Sequence, residues 1–117
     1  MRNTTLDRAD MNDLEATRLC YIAMGDLPVV VEREGTLRFG YENCLGPPYN
    51  PLHQDVFAMA LVKRFRLTVI SLKDVLWEVR PQLREAEQIE TVDADLNRAI
   101  VYCVAAMQQA TTAKGDA

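Results

Sequence analysis

Leu96, Ile100, Cys103, Val104 and Met107 recur at offsets 0, 4, 7, 8 and 11, the spacing of one face of an α-helix. A stripe that long must be covered. Whatever else folds has to offer residues 95–109 a sheet or a second helix to lie on, while Asn97, Arg98, Gln108 and Gln109 fall away from the stripe toward solvent.

The 117 residues include 49% apolar and 26% charged side chains, the composition of an ordinary globular domain rather than of a disordered chain. One core is the expectation at this length. We divide the chain into a loose polar arm (1–9), one domain (10–110) and a short fraying tail (111–117). No apolar run approaches the roughly 20 residues of a bilayer crossing. Met1 to Asp13 carries acidic and polar residues where a secretion signal requires an apolar segment, so a cytoplasmic protein is expected.

Asp10 offers an N-cap and Gly25 a C-cap, which predicts a first helix from Asp10 to Met24 with a small-residue stripe of Ala16, Leu19, Cys20 and Ala23. Val29 to Arg33 and Thr36 to Tyr41 then read as two strands. Glu34 and Gly35 between them make the pair a β-hairpin, glycine accepting a positive φ at little cost. Gly46, Pro47, Pro48, Tyr49, Asn50 and Pro51 follow as a breaker segment and are expected to form a loop. Asn50 as cap and Pro51 as first helical residue predict a second helix running to about Arg66. It carries two apolar stripes, Phe57, Leu61 and Phe65 beside Leu52, Val56, Met59 and Ala60. Either two sides of this helix are covered or one patch meets a partner.

Leu67 to Leu72 predicts a strand. Val75, Trp77 and Val79 alternate like another, joined to it by a turn at Lys73 and Asp74, although Leu72, Val75, Leu76 and Val79 fit helical spacing equally well. Pro81 ends the segment, and residues 82–92 read as a charged connection. The expected architecture is α+β, in the order α-β-β-α-β-β-α, with three helices on a small, mainly antiparallel sheet of about four strands.

Several of these stretches resemble the phage α/β/α sandwich domain, a family of small bacteriophage and prophage proteins. The resemblance covers residues 12–109. It rests on the first helix closing in Ala23-Met24-Gly25, on Asn50-Pro51 opening a helix that contains Asp55 and Ala58, on Trp77, and on Asp95-Leu96-Asn97-Arg98-Ala99-Ile100 opening the last helix. It implies a phage or prophage origin and a layered fold, and no common activity.

Chemistry is sparse in this sequence. Three cysteines, Cys20, Cys44 and Cys103, are odd in number and widely spaced, with no Cys-x-x-Cys, so reduced thiols are expected, Cys20 and Cys103 as core residues. The single histidine, His53, removes any two-histidine metal site. Cys44 with His53 is the one nucleophile and base pairing to weigh, and it lacks a recognisable third group or oxyanion loop. Without such a pair His53 is an exposed first-turn residue. Asp74 with Glu78, and Glu32 with Glu34, are close enough in sequence to be carboxylate pairs, though acids at that spacing are usually just solvated. Gly35, Gly40 and Gly46 make no phosphate-binding pattern. No cofactor is implied.

The net charge of −4 disfavours nucleic acid as a partner. Lys63, Arg64 and Arg66 at a helix end complement its dipole. Glu85, Glu87, Glu90, Asp93 and Asp95 crowd into eleven residues and present an acidic face. Trp77, Tyr41, Tyr49 and Phe57 could line a groove at the sheet's end, although aromatic residues of this kind are more often packing. Tyr49, held among prolines, reads as an exposed anchor for protein recognition.

The leading expectation is a non-enzymatic accessory protein that binds a host or phage protein, conceivably inhibiting a host defence or regulatory complex. Its contact residues would be Pro48, Tyr49, His53 and Phe57, with Glu85, Glu87 and Glu90 as a second acidic surface. The alternatives are a small-molecule-binding or enzymatic domain at the Cys44/His53 region, and a homodimer formed through the second helix.

Overall fold

Ala99 to Ala106 are eight consecutive buried residues, so the last helix is covered on every side there rather than along one stripe. The computed structural model, which describes residues 11–25, 30–41, 44–82 and 89–116, shows why. The fold is α+β, with three helices and two three-stranded antiparallel sheets instead of one sheet of four strands. The last helix, α3 (Leu96–Asp116), lies between the second sheet on one side and the two other helices on the other. A helix that is apolar all round is stable only in such a position.

Helix α1 (Asp13–Met24) begins later than expected. Its N-cap is Asn12, whose Oδ1 accepts a hydrogen bond from the Glu15 amide at 2.8 Å, and Asp10 lies outside the described residues. Gly25 closes it at φ 77°, as the sequence suggested. Cys20 and Cys103 are both fully buried between α1 and α3, where the Cys20 thiol donates to the Val101 carbonyl at 3.3 Å. Burial pushes the Cys20 thiol well above its ordinary value and the Cys103 thiol up to about 12. Both remain uncharged hydrophobes at neutral pH.

The first sheet follows the order β1 (Val30–Arg33), β2 (Thr36–Tyr41), β3 (Cys44–Pro48). Glu34 and Gly35, at φ 56° and 79°, form the two-residue turn with positive φ at both central positions that matches strand twist. Strand β3 corrects the expectation of a loop. Prolines 47 and 48 fit because β3 is an edge strand, where a missing N–H breaks no inner ladder, and a register shift between Arg38 and Gly40 absorbs the irregularity. The strand ends at Pro48, and the amide of the next residue, Tyr49, donates to the Leu37 carbonyl at 2.8 Å.

Asn50 does cap a turn, its carbonyl accepting from the His53 and Gln54 amides. Gln54 then interrupts with extended dihedrals, and α2 runs only from Asp55 to Phe65. Arg66 closes it in the left-handed region at φ 52°. Of the two expected stripes, the first buries Leu61 toward α3, with Ala58 beside it, and the second leaves Val56 and Met59 exposed.

The second sheet has the order β4 (Leu67–Leu72), β5 (Leu76–Pro81), β6 (Thr91–Asp93). Of the two readings left open for Val75 to Val79, the strand is the one formed, beginning at Leu76, while Val75 stays in the turn with Lys73 and Asp74. Strand β6 was missed, its first two residues, Thr91 and Val92, falling at the end of the charged connection. Thr91 fixes it from inside, donating from its buried Oγ1 to the Ala99 carbonyl at 2.6 Å. The tail is also corrected: α3 continues to Asp116 and does not stop at Gln109.

Candidate functional site

Antiparallel register decides which side chains of the second sheet share a face. Val69 pairs with Val79, and Val79 with Thr91; Val79 and Thr91 are buried against α3, while Val69, on the outer strand, is exposed. The opposite face carries Ile70, Glu78 and Val92 in one row across all three strands, with Leu72 opposite Leu76 on one side and Thr68 opposite Arg80 on the other. Ile70, Leu72 and Leu76 are half-buried and Val92 is 38% exposed. The described helices pack on the other face of this sheet.

Glu78 sits in the middle of that outer face, with Glu90, one of the acidic candidates, close enough to act on its carboxyl. Burial first, and then the neighbouring Glu90 carboxyl, raise its pKa above the ordinary carboxylate value, while Arg80 at 3.8 Å works against the rise. A carboxylate beside another carboxylate is penalised for its charge. An incoming ammonium or guanidinium group relieves that penalty and can bond to both. Glu78 therefore pairs with Glu90 and not with Asp74, which stands at the β4–β5 turn at φ 65°. The link was hidden in the sequence because it needs β6 beside β5. Glu85 and Glu87 lie outside the described residues.

Tyr49 must be corrected. It is 2% exposed and buried in an aromatic cluster, edge-on to Phe57 at 5.1 Å, Phe39 at 5.7 Å and Tyr21 at 6.0 Å between ring centroids. Prolines do not hold it outside: β3 delivers it to the seam where the first sheet meets α1 and α2. Phe57, half-buried, belongs to the same cluster, touching Phe39 at 5.8 Å, and Pro48 is half-buried on β3. Trp77 is in the other sheet, so Trp77, Tyr49 and Phe57 do not line one groove.

His53 is exposed in the turn before α2, two residues short of the helix itself. It borders a cleft of about 160 Å³ with Asp13, Thr17, Leu37, Asn50 and Leu52, smaller than the roughly 300–1,000 Å³ of ligand pockets. Cys44 is exposed on β3, and no hydrogen bond joins it to His53 among the described residues. Glu32 is paired with Arg18 across from α1, and not with Glu34. Among the described residues no group of three His, Cys, Asp or Glu side chains could hold a metal ion, and no helix is long and apolar enough to cross a membrane.

One polar network near the cleft has a structural meaning. Asp13 accepts from the Tyr102 hydroxyl and from Arg98, each at 2.6 Å, and Arg98 continues to Asp93 at 3.2 Å and stacks on the Tyr102 ring. Burial pushes the Asp13 carboxyl up, but Tyr102 and Arg98 more than offset it and hold it below its usual value. The network ties α1, the end of β6 and α3 together. No family model, curated protein or solved structure matches the chain.

Proposed function

We propose that this chain is a non-enzymatic accessory protein, of phage or prophage origin as the resemblance of its sequence implies, that acts by binding a host or phage protein. The outer face of the second sheet is its contact surface. One observation carries the reading: two neighbouring carboxyls, Glu78 and Glu90, set among the apolar side chains Ile70, Leu72, Leu76 and Val92 on a face opposite the core. Apolar area supplies affinity, and the carboxyl pair selects a basic residue at its centre. The burial of Tyr49 moves the interaction away from the proline segment and onto the acidic side of the molecule, where Glu90 already stood as a candidate.

The test is recovery of partners from host cells at physiological salt by the wild-type chain and by a Glu90→Lys/Val92→Lys double variant with an unchanged circular dichroism spectrum. A protein retained by the first and lost by the second supports the reading. Equal recovery by both, or no partner with either, refutes it.

A further inference from the structure

The outward side of α2 carries a pattern of its own. At 3.6 residues per turn, Asp55, Val56, Met59 and Lys63 fall together, away from the buried Ala58 and Leu61. Val56 is 72% exposed and Met59 47%, with Asp55 and Lys63 exposed at either end. Beside them runs a groove of about 350 Å³ between α2 and α3, lined by Ala58, Met59, Leu96 and Ile100, with Asp55 and Asp95 on its rim. Asn97 donates to Asp55 at 2.8 Å and holds that rim in place. Along the helix the order is acid, apolar centre, base. Arg66 adds a second exposed cation at the basic end, as Asp95 adds a second carboxylate at the acidic one.

Such a face is the complement of its own reverse. Asp55 and Lys63 stand four residues on either side of Met59. Two copies of α2 laid antiparallel about a two-fold axis through Met59 thus place Asp55 against the partner's Lys63, and Lys63 against the partner's Asp55, with the methionines meeting at the centre. A foreign ligand requires no such internal symmetry of charge. A closed isologous interface sets each end of the face against the opposite end of its copy, so opposite charges there make two attractive pairs. The geometry points to a symmetric homodimer of this chain, formed by antiparallel packing of α2 on α2 with Met59 of each copy seated in the α2–α3 groove of the other. The apolar centre supplies affinity, and the two ion pairs, each weak at a surface, set the orientation. The inference is independent of the sheet surface proposed above.

Sedimentation equilibrium over a concentration series reads it directly. Wild-type chain is expected to pass from monomer to dimer, and Met59→Glu, at a site already half exposed, to stay monomeric with the melting temperature of dilute, monomeric wild type. Asp55→Lys and Lys63→Asp each convert both ion pairs into repulsions and weaken self-association about tenfold or more, an effect that shrinks in high salt. An equimolar mixture of these two variants regains both pairs and associates as tightly as wild type, and Glu90→Lys/Val92→Lys dimerises normally. The inference is overturned by a wild-type chain that remains monomeric at its highest soluble concentration. Charge variants that dimerise as well as wild type, a mixture that fails to associate, or a dimer abolished by the sheet variant overturn it equally.

Discussion

Replacing Tyr49 by alanine removes the ring at the seam of the molecule. Tyr49 is 2% exposed and meets three other rings, at centroid distances of 5.1, 5.7 and 6.0 Å, from three different elements. Truncating a large buried aromatic to alanine costs about 3–5 kcal/mol, and edge-to-face pairs contribute roughly 0.5–1.5 kcal/mol each beyond their buried area. We expect a loss of about 4 kcal/mol, a large share of the roughly 5–15 kcal/mol that keeps a domain folded. At about 4 °C per kcal/mol for a chain of this length, the melting temperature should fall by about 15 °C. Tyr49→Phe keeps all three ring contacts and should cost less than about 1 kcal/mol. Urea and thermal unfolding followed by circular dichroism measure both. A Tyr49→Ala variant that loses less than about 1.5 kcal/mol would show that the side chain is not packed at this seam and would return it to the list of surface contacts.

Gly40 lies at φ 121°, and a Cβ there would run into the Cys44 carbonyl oxygen, so Gly40→Ala should cost more than about 2 kcal/mol of unfolding free energy in urea melts by prying β3 from β2. Val75 is 84% exposed at φ 56°, a conformation that branched side chains resist, and Val75→Asn should gain about 1 kcal/mol and raise the melting temperature by about 4 °C. Glu78 has its pKa raised in the folded state, so the stability it contributes is complete below the ordinary carboxyl value near 4.3 and is lost as pH rises through the folded one. Glu78→Gln should therefore be more stable than wild type at pH 7, with the difference vanishing near pH 4; an equal difference at both pH values refutes the upward shift of the Glu78 carboxyl.

Local chemistry made much of this fold readable in advance. Gly25 ends α1 and Glu34-Gly35 turns the first hairpin because few residues take a positive φ, and those that do punctuate the chain wherever they occur. Strand β4 was legible from Leu67 to Leu72, and the stripe of α3 from Leu96 onward, because β-branching and helical period are properties of a dozen residues or fewer. The candidate site was half legible. Glu90 stood out in an acidic run, whereas its partner Glu78 was indistinguishable from any surface acid until β6 came to lie against β5.

What the chain determined by itself was the α+β class, the order of its helices and hairpins and the uncharged, buried fate of Cys20 and Cys103. What tertiary structure decided was everything that depends on company. A strand of three residues such as Thr91–Asp93 has too little pattern to announce itself and exists because Thr91 finds the Ala99 carbonyl. Pro47 and Pro48 are admitted to a sheet only because theirs is an outer strand. Tyr49 is interior because three rings from distant parts of the chain converge on it. Burial is a relation between segments, and a linear pattern records only one side of it.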